Sequence, residues 1–174
     1  FCDIAALSLI PGSCGAAPVQ NIGAYGQQVS DSLVSLRAYD TKKAIFVELA
    51  RNECNFSYRR SRFNTTDKKR FIITSITLKL QQKYSKLPFY ADISTYFASH
   101  GISENAVTPM QLREATSVVR VRKLPDPSTV ANSGSFFKNP IVSPDKYNAL
   151  LHTYPSLKAH ETDDGSLKLY GAQL

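Results

Sequence analysis

The sequence predicts a mixed fold of β-strands and α-helices, and three patterns support this prediction. Short apolar segments at residues 33–39 and 44–49 are separated by four polar or charged residues, which is typical of a β-hairpin. A third segment, residues 70–80, alternates well over its second half and predicts another strand. Two later segments, residues 107–121 and 143–152, each begin at a residue suited to capping a helix. Strands therefore dominate the first half of the chain and helices the second.

The segment 107–121 has the clearest helical signals. Thr108 can cap the N-terminus and Pro109 fits the first helical position. Apolar side chains then recur near helical spacing, at Leu112, Ala115, Val118, Val119 and Val121. The helix must end before Leu124, because Pro125 lacks an amide donor and restricts the residue before it.

Composition limits the possible functions. The 174 residues are 43% hydrophobic, enough for one good core or two small ones. No segment approaches the roughly 18 to 20 apolar residues that cross a bilayer. The 21 basic and 14 acidic residues give a net charge of +7, which favours an anionic partner: a nucleotide, a sugar phosphate, nucleic acid or an anionic membrane. Three cysteines without metal-ligand spacing fit a reducing cytoplasm better than secretion.

The N-terminus allows two interpretations. An apolar run at residues 4–10 followed by Pro11, Gly12, Ser13 and Cys14 has the outline of a signal or lipoprotein cleavage site. However, an initiator methionine and a basic region are both missing, and Asp3 stands where positive charge is expected. We therefore expect that the chain begins inside a larger protein.

Residues 10–26 concentrate four glycines, three alanines and two prolines. Small residues let backbone amides approach a ligand closely, and glycine supplies positive φ angles. The segment does not match the G-x-G-x-x-G dinucleotide fingerprint, so a Rossmann site is not predicted. By composition alone, a plain loop remains the commoner explanation.

Residues 52–63 contain a basic and aromatic cluster. Tyr58, Arg59, Arg60 and Arg62 lie between Phe56 and Phe63. A solvated basic loop explains this pattern, and so does a surface for single-stranded nucleic acid, because arginines interleaved with aromatics suit stacked bases.

Residues 120–140 join a basic helix end to a loop of small residues. The loop, residues 132–135, leaves a serine hydroxyl accessible, while Phe136 and Phe137 behind it can anchor the backbone. Lys123, Lys138 and Asn139 add donors for an anionic ligand. For any one of these residues, a proline-capped helix followed by an ordinary turn is the simpler interpretation.

Taken as strings, these three segments resemble one family. Three strings carry the resemblance: K-L-P-D-P followed by N-S-G-S-F-F-K-N-P, the stretch I-P-G-x-x-G-A-A-P-x-Q-N-I-G-A-Y-G, and the pattern C-x-F-x-Y-R-x-S-x-F. All three are similar to segments of UDP-N-acetylenolpyruvoylglucosamine reductase, a flavoenzyme of peptidoglycan precursor synthesis. The resemblance spans almost all of residues 4–169. It implies an α+β fold, in which residues 1–122 are the second half of a two-part FAD-binding domain and residues 123–174 begin an α+β substrate-binding domain.

The resemblance also implies roles for individual residues. Ser135 takes the place of the family's proton donor, and Arg59 that of the arginine that polarises the enolpyruvyl carboxylate. Lys138 or Arg120 is a candidate to stabilise the serine alkoxide. The positions matching cofactor contacts are Ile10, Pro11, Gly12, Gly15, Ala16, Gln20, Asn21, Gly23, Ala24 and Arg120. The positions assigned to the UDP-sugar are Tyr58, Tyr90, Lys123, Asn139 and Lys168, with Ala91 replacing the glycine of the family's Y-G-D segment.

The implied cofactors are FAD and NADPH, and the implied substrate is UDP-N-acetylglucosamine enolpyruvate. The resemblance further implies a monomer in the bacterial cytoplasm, acting in cell-wall biogenesis without a nucleic-acid or membrane partner. One departure matters: after D-G-S-x-K-L the family continues with A-G-W-L, whereas this chain reads Y-G-A-Q-L. The family's catalytic glutamate and its glycine-rich phosphate loop match no residue here, so we expect the 174-residue chain alone to be inactive. A catalytically inactive remnant and a basic nucleic-acid-binding module are the alternatives.

Overall fold

The structure is a computed structural model that describes residues 3–82, 89–126, 128–131, 137–162 and 164–171. The chain divides into two compact units, residues 1–125 and 126–174. This division falls close to the 122/123 boundary implied by the resemblance. The assignment of the two parts to an FAD domain and a substrate domain stays a prediction.

The first unit contains most of the regular structure. Its strands and α-helices are β1 (Gly23–Ala24), β2 (Gln27–Gln28), α1 (Val29–Ser32), β3 (Leu33–Asp40), β4 (Ile45–Ala50), β5 (Phe71–Leu78), α2 (Ala91–Ser99) and α3 (Pro109–Lys123). Short 3₁₀ turns lie at Ala5–Leu7, Arg51–Cys54, Arg62–Asn64 and Glu104–Ala106. Helices and antiparallel strands are both present, in agreement with the predicted α+β class.

A three-stranded antiparallel sheet, in the order β4-β3-β5, forms the centre of the first unit. The predicted hairpin is confirmed as β3 and β4, and the predicted strand at 70–80 is confirmed as β5. Alternate residues of β3 point to opposite faces, so Leu36 and Ala38 are buried while Arg37 is exposed. One face of the sheet packs on a core made of Leu33, Leu36, Ala38, Leu49, Cys54 and Phe63.

A second core lies between α2, α3 and the first 3₁₀ turn. It contains Ala5, Phe89, Ile93, Phe97, Leu112, Ala115 and Val119. The predicted α3 is confirmed: the Thr108 hydroxyl accepts a hydrogen bond from the Gln111 amide at 3.2 Å, and Leu124 is the C-cap. Helix α2 was not predicted. It has nine residues and its N-cap, Tyr90, makes no capping side-chain bond, so it lacks the start signal that identified α3.

The second unit is a small sheet with one α-helix. Its elements are β6 (Ile141–Val142), α4 (Pro144–Thr153), β7 (Ala159–Glu161) and β8 (Leu167–Leu169), with strand order β6-β8-β7. The predicted second helix is confirmed as α4, and the Ser143 hydroxyl caps it by accepting from the Lys146 amide at 3.3 Å. The sequence of residues 161–170 predicts a polar turn followed by a strand, and β8 confirms that strand, whereas β6 and β7 were not predicted.

Throughout the described residues, no helix combines the length and the apolar character needed to span a membrane.

Candidate functional site

The glycine-rich segment 10–26 is organised around the side chain of Asn21, which is almost completely buried. Its amide nitrogen donates to Gln28 Oε1 and to the Ser57 carbonyl, both at 3.1 Å, and its Oδ1 accepts from the Ser30 amide at 3.1 Å. Asn21 therefore ties the segment to α1 and to the loop that contains Arg59. Its side chain serves the packing of the protein itself.

The arginine-containing segment 54–63 folds directly onto the glycine-rich segment. The buried Ser61 hydroxyl donates to the Val19 carbonyl at 2.6 Å. The Arg59 guanidinium donates through Nη1 to the Asn21 carbonyl at 3.2 Å and through Nη2 to the Gly23 carbonyl. Two of the three segments singled out in the sequence are therefore joined by side-chain-to-backbone hydrogen bonds, and these bonds fix the position of Arg59.

The glycines of the segment differ in the space around them. A Cβ on Gly15 would lie 2.6 Å from the Ile73 carbonyl oxygen of β5. A Cβ on Gly23 would lie 2.6 Å from the Gln27 carbonyl oxygen and 2.9 Å from Arg59 Nη1. Packing within the protein thus requires both glycines. Gly12 is different: its φ is +116° and no atom lies within 4 Å of its Cβ position, so its backbone faces open space.

The other predicted cofactor positions vary in exposure. Pro11, Ala16 and Gln20 are exposed, while Ile10 and Ala24 are partly buried. Pro11, Ala16 and Gln20 are thus exposed beside Asn21, whose side chain is held by hydrogen bonds, and exposed positions of this kind can contact a ligand.

Several residues around this segment adopt left-handed backbone conformations without being glycine. The φ angles are 59° at Leu9, 47° at Asn21, 48° at Tyr25 and 54° at Arg59. Such conformations cost about 1–3 kcal/mol each and tend to concentrate at functional sites. The concentration of strain here supports a functional role for the joined segments.

A second group of polar side chains lies at the C-terminal end of α3, which we call the α3 terminal cluster: Arg120, Arg122, Lys123 and Asp92. Lys123 Nζ lies 2.5 Å from Asp92 Oδ2, and Arg122 Nη2 lies 3.8 Å from Asp92 Oδ1. Asp92 belongs to the first turn of α2, so the cluster joins the start of one helix to the end of the other.

Two phenols lie near the α3 terminal cluster. The rings of Tyr25 and Tyr90 are in edge-to-face contact, with centroids 6.0 Å apart. Burial raises the pKa of Tyr25, while the charges of Arg120 and Lys123 oppose that rise. The Tyr25 hydroxyl is therefore protonated at neutral pH and available as a hydrogen-bond donor.

Arg120 connects this cluster with the glycine-rich segment. Its Nη2 donates to the Leu9 carbonyl at 3.4 Å. Its Nε is buried and has no acceptor among the residues that the structure describes. A buried guanidinium N–H without an acceptor is costly.

The arginines of segment 54–63 do not form an open basic surface. Besides Arg59, Arg62 is also engaged, with Nε 2.7 Å from Asp67 and Nη1 donating to the Glu53 carbonyl at 2.9 Å. Arg60 is exposed. The Arg59 guanidinium lies 5.1 Å from the centroid of the Tyr58 ring, and burial raises the pKa of Tyr58. Single-stranded nucleic acid would need these guanidinium groups facing solvent, so the geometry does not favour that alternative.

The remaining predicted site residues belong to the second unit or lie outside the described residues. Asn139 Oδ1 accepts from the Gly171 amide at 2.8 Å, and Lys168 lies on β8 opposite Ile141 and His160. Ser135 lies outside the described residues, as does the rest of the loop 132–136. Asn139 and Lys168 therefore belong to the second unit, and their roles stay predictions.

Of the described cysteines, Cys14 is exposed and Cys54 is buried. Cys54 is fully buried, and burial raises the pKa of its thiol to about 11, so it is unreactive near neutral pH. Across the described ranges, no group of three or more His, Cys, Asp or Glu side chains could hold a metal ion.

The sequence motifs assigned no role to Asp92, which belongs to the α3 terminal cluster, or to Tyr25, which lies near it. The position of Tyr25 between Ala24 and Gly26 was visible as an aromatic residue in a small-residue loop. Asp92 is the last residue of the segment that resembles Y-G-D, but its partners could not be read from the sequence, because they are more than 29 positions away along the chain.

Known reductases are similar in sequence to this chain. The chain is 41% identical over 163 residues to the UDP-N-acetylenolpyruvoylglucosamine reductase of Cupriavidus pinatubonensis, covering 94% of this chain and 47% of that protein. It is 42% identical over 164 residues to the reductase of Neisseria meningitidis serogroup B, with the same coverage. The chain is a homologue of UDP-N-acetylenolpyruvoylglucosamine reductases. It spans about half the length of the curated relatives it matches.

The fold is also shared with a solved reductase. The crystal structure of the UDP-N-acetylenolpyruvylglucosamine reductase of Thermus caldophilus matches with a TM-score of 0.54 at 19% identity, covering 95% of this chain and 52% of that one. No family model matches the chain. The resemblance recognised in the sequence motifs is therefore confirmed by relatives and, at the level of fold, by structure.

Proposed function

We propose that this chain provides part of an NADPH-dependent flavoenzyme that reduces UDP-N-acetylglucosamine enolpyruvate to UDP-N-acetylmuramate in bacterial peptidoglycan synthesis. The observation that carries the proposal is the position of Arg59. Its guanidinium is bound to the Asn21 and Gly23 carbonyls of the glycine-rich segment, which places a permanent positive charge beside the segment assigned to the flavin.

The residues present fit an FAD molecule. Gly12 has an open face at a positive φ, and the buried Nε of Arg120 lacks an acceptor among the described residues. Gly12, Gln20 and Arg120 are therefore the groups that would hold the cofactor, together with the backbone between them. When bound, FAD supplies the hydride that NADPH has delivered to it.

Arg59 supports the chemistry through charge and orientation. Addition of hydride to the enolpyruvyl double bond builds negative charge toward the neighbouring carboxylate, and a planar, always-protonated guanidinium stabilises that charge. The two carbonyl contacts of Arg59 fix its plane before the substrate arrives. Ser135 donates the proton that completes the reduction at the adjacent carbon.

Residues of the first unit bind the UDP-sugar diphosphate. In the first unit, Lys123 brings the cation, and Tyr58 and Tyr90 bring phenol donors. The roles of Asn139 and Lys168, which belong to the second unit, stay predictions from the resemblance. Because a diphosphate carries negative charge, the net charge of +7 on the chain favours its approach.

A chimeric enzyme tests the proposal. The 163 matched residues of the Cupriavidus pinatubonensis reductase are replaced by those of this chain, and the purified protein is mixed with NADPH and the enolpyruvyl UDP-sugar in a stopped-flow spectrometer. We expect a yellow protein in which NADPH bleaches the flavin absorbance and the UDP-sugar restores it. A folded chimera that holds no flavin, or that NADPH does not bleach, contradicts the proposal.

Ser135→Ala in the same chimera separates the two half-reactions. Reduction by NADPH should continue unchanged, while reoxidation by the UDP-sugar should fall by at least about 100-fold, the lower range for loss of a proton donor. Ser128→Ala is the matched control, because this exposed serine hydroxyl bonds within its own turn to Asp126. Equal loss of both half-reactions would mean that Ser135 is structural.

A further inference from the structure

We infer that Asp92 is a positioning residue, which holds the ammonium group of Lys123 in place to bind the diphosphate of the substrate. The inference rests on the proposed function, since it assumes that Lys123 contacts a nucleoside diphosphate. Neither Asp92 nor its pairing with Lys123 was assigned a role by the sequence motifs. The pairing arises only because α2 and α3 pack together.

The two residues are attached to a rigid support. Asp92 lies in the first turn of α2, and Lys123 is the last residue of α3. The two helices are joined through the buried side chains of Ile93, Phe97, Leu112, Ala115 and Val119. A lysine at a helix end followed by Pro125 would otherwise sample many rotamers, because its four-carbon chain is flexible. The Asp92 carboxylate removes that freedom by accepting a hydrogen bond from Nζ at 2.5 Å.

Asp92 leaves Lys123 able to bind a ligand. An ammonium group has three N–H donors, and the bond to Asp92 Oδ2 uses one of them. The Lys123 side chain is 50% exposed and that of Asp92 is 30% exposed, so an anion can reach the ammonium from solvent. Arg120, Arg122 and Lys123 outnumber the single carboxylate, and the cluster therefore stays net positive.

The location of Asp92 also reduces its repulsion of an incoming anion. The N-terminus of a helix carries a partial positive charge, and Asp92 lies in the first turn of α2. The phenol of Tyr25 lies close enough to Arg120, Lys123 and Asp92 for their charges to act on its pKa, which burial raises. An exposed ion pair of this kind contributes little to folding stability, which leaves orientation of Lys123 as its main effect.

Binding of UDP tests the inference, because positioning and simple electrostatics predict opposite signs. Asp92→Asn removes one negative charge, so charge alone predicts tighter UDP binding at low salt. If Asp92 orients Lys123, the same substitution should weaken binding by roughly threefold to tenfold, the effect of freeing one flexible side chain. Affinities are measured by isothermal titration of the 174-residue protein with UDP, and circular dichroism checks the fold.

Glu48→Gln is the control, because it makes the same change in charge on an exposed residue of β4. It should not weaken UDP binding. A double-mutant cycle with Lys123→Met supplies the second readout: once Lys123 is replaced, Asp92→Asn should have no further effect. Equal weakening in both backgrounds would show that Asp92 acts through general structure and would overturn the inference.

Two other results are decisive. If Asp92→Asn binds UDP as tightly as the parent protein, or more tightly, the carboxylate does not position Lys123 and the inference fails while the anion site stands. If the parent protein shows no saturable binding of UDP, the anion site at Lys123 is wrong, and both the proposed role of this cluster and the inference are overturned.

Discussion

Two aspartates of the first unit each bind basic side chains, in opposite environments. The Asp40 side chain is 2% exposed and receives a two-pronged contact from Arg70, with Nη2 at 2.7 Å from Oδ2 and Nε at 3.1 Å from Oδ1. Its Oδ1 also accepts from the backbone amides of Lys42 and Lys43. The Asp92 side chain is 30% exposed and has a single short contact, to Lys123.

The difference separates a structural ion pair from one available for binding. The Asp40–Arg70 pair joins the end of β3 to the start of β5, and Arg70 continues to Asp67 at 3.0 Å, so its charges are fully committed to the fold. The Asp92–Lys123 pair is accessible to solvent and retains donors for a ligand. Burial and the number of hydrogen bonds thus distinguish two pairs whose residue types are similar.

The largest expected effect is on stability when the buried pair is broken. Asp40→Ala leaves the Arg70 guanidinium partly buried without its main partner and removes the acceptor for the turn that connects β3 and β4. We expect the melting temperature to fall by at least about 5 °C, since breaking a buried pair is strongly destabilising and Arg70 keeps only its contact to Asp67. Asp92→Ala is the matched comparison and should change the melting temperature by less than about 2 °C. Equal shifts would remove the distinction between the two pairs.

Acid should weaken the buried pair over a defined range of pH. The hydrogen bond from Arg70 lowers the pKa of Asp40 to about 2, compared with about 3.9 for an aspartate in an unfolded chain. Because the folded-state pKa is depressed, the stabilisation is present above about pH 4 and is lost as pH falls toward 2. Urea unfolding of the parent protein and of Asp40→Asn, measured between pH 5 and 2, should show their difference in stability shrinking across this range. A difference that stays constant over that range would contradict the assignment.

A smaller effect is expected when charge is kept but the two-pronged geometry is lost. Arg70→Lys can satisfy only part of the network that joins Asp40 and Asp67, because lysine lacks the planar fork of donors. We expect a melting temperature about 2–4 °C below that of the parent protein, between the values for Asp40→Ala and Asp92→Ala. Lys123→Arg at the exposed pair should leave the melting temperature unchanged, and a loss as large as that of Arg70→Lys would show that the exposed pair also serves stability.

Much of the local structure could be predicted from the order of residues. The hairpin of β3 and β4 followed from apolar segments on either side of a polar turn, and α3 followed from Thr108, Pro109 and the spacing of its apolar residues. The motifs also identified the family that the relatives confirm. These features depend on residues close together in the chain, which share one backbone conformation or one contiguous string.

Local pattern could not predict the contacts that assemble the site. Arg59 meets Gly23 across 36 positions, Asp92 meets Lys123 across 31, and Arg70 meets Asp40 across 30. From composition, the glycines suggested a backbone that a ligand can approach closely. The structure shows that Gly15 and Gly23 are also required by packing against β5, β2 and Arg59. The residue that occupies the space beside a glycine depends on how distant strands pair, and the residues next to the glycine in sequence do not reveal it.

The sequence by itself determined the type and the approximate bounds of β3, β4, β5, α3 and α4, together with the positive charge and the family relationship, because each is a property of neighbouring residues or of composition. Only the tertiary structure decided that Arg59 lies against the glycine-rich segment and that Asp92 reaches Lys123. Those contacts require whole elements to pack, and the free energy that holds them together comes from cores whose members are spread along the chain. A side chain obtains its chemical role from its neighbours in space, and these are known only after the chain has folded.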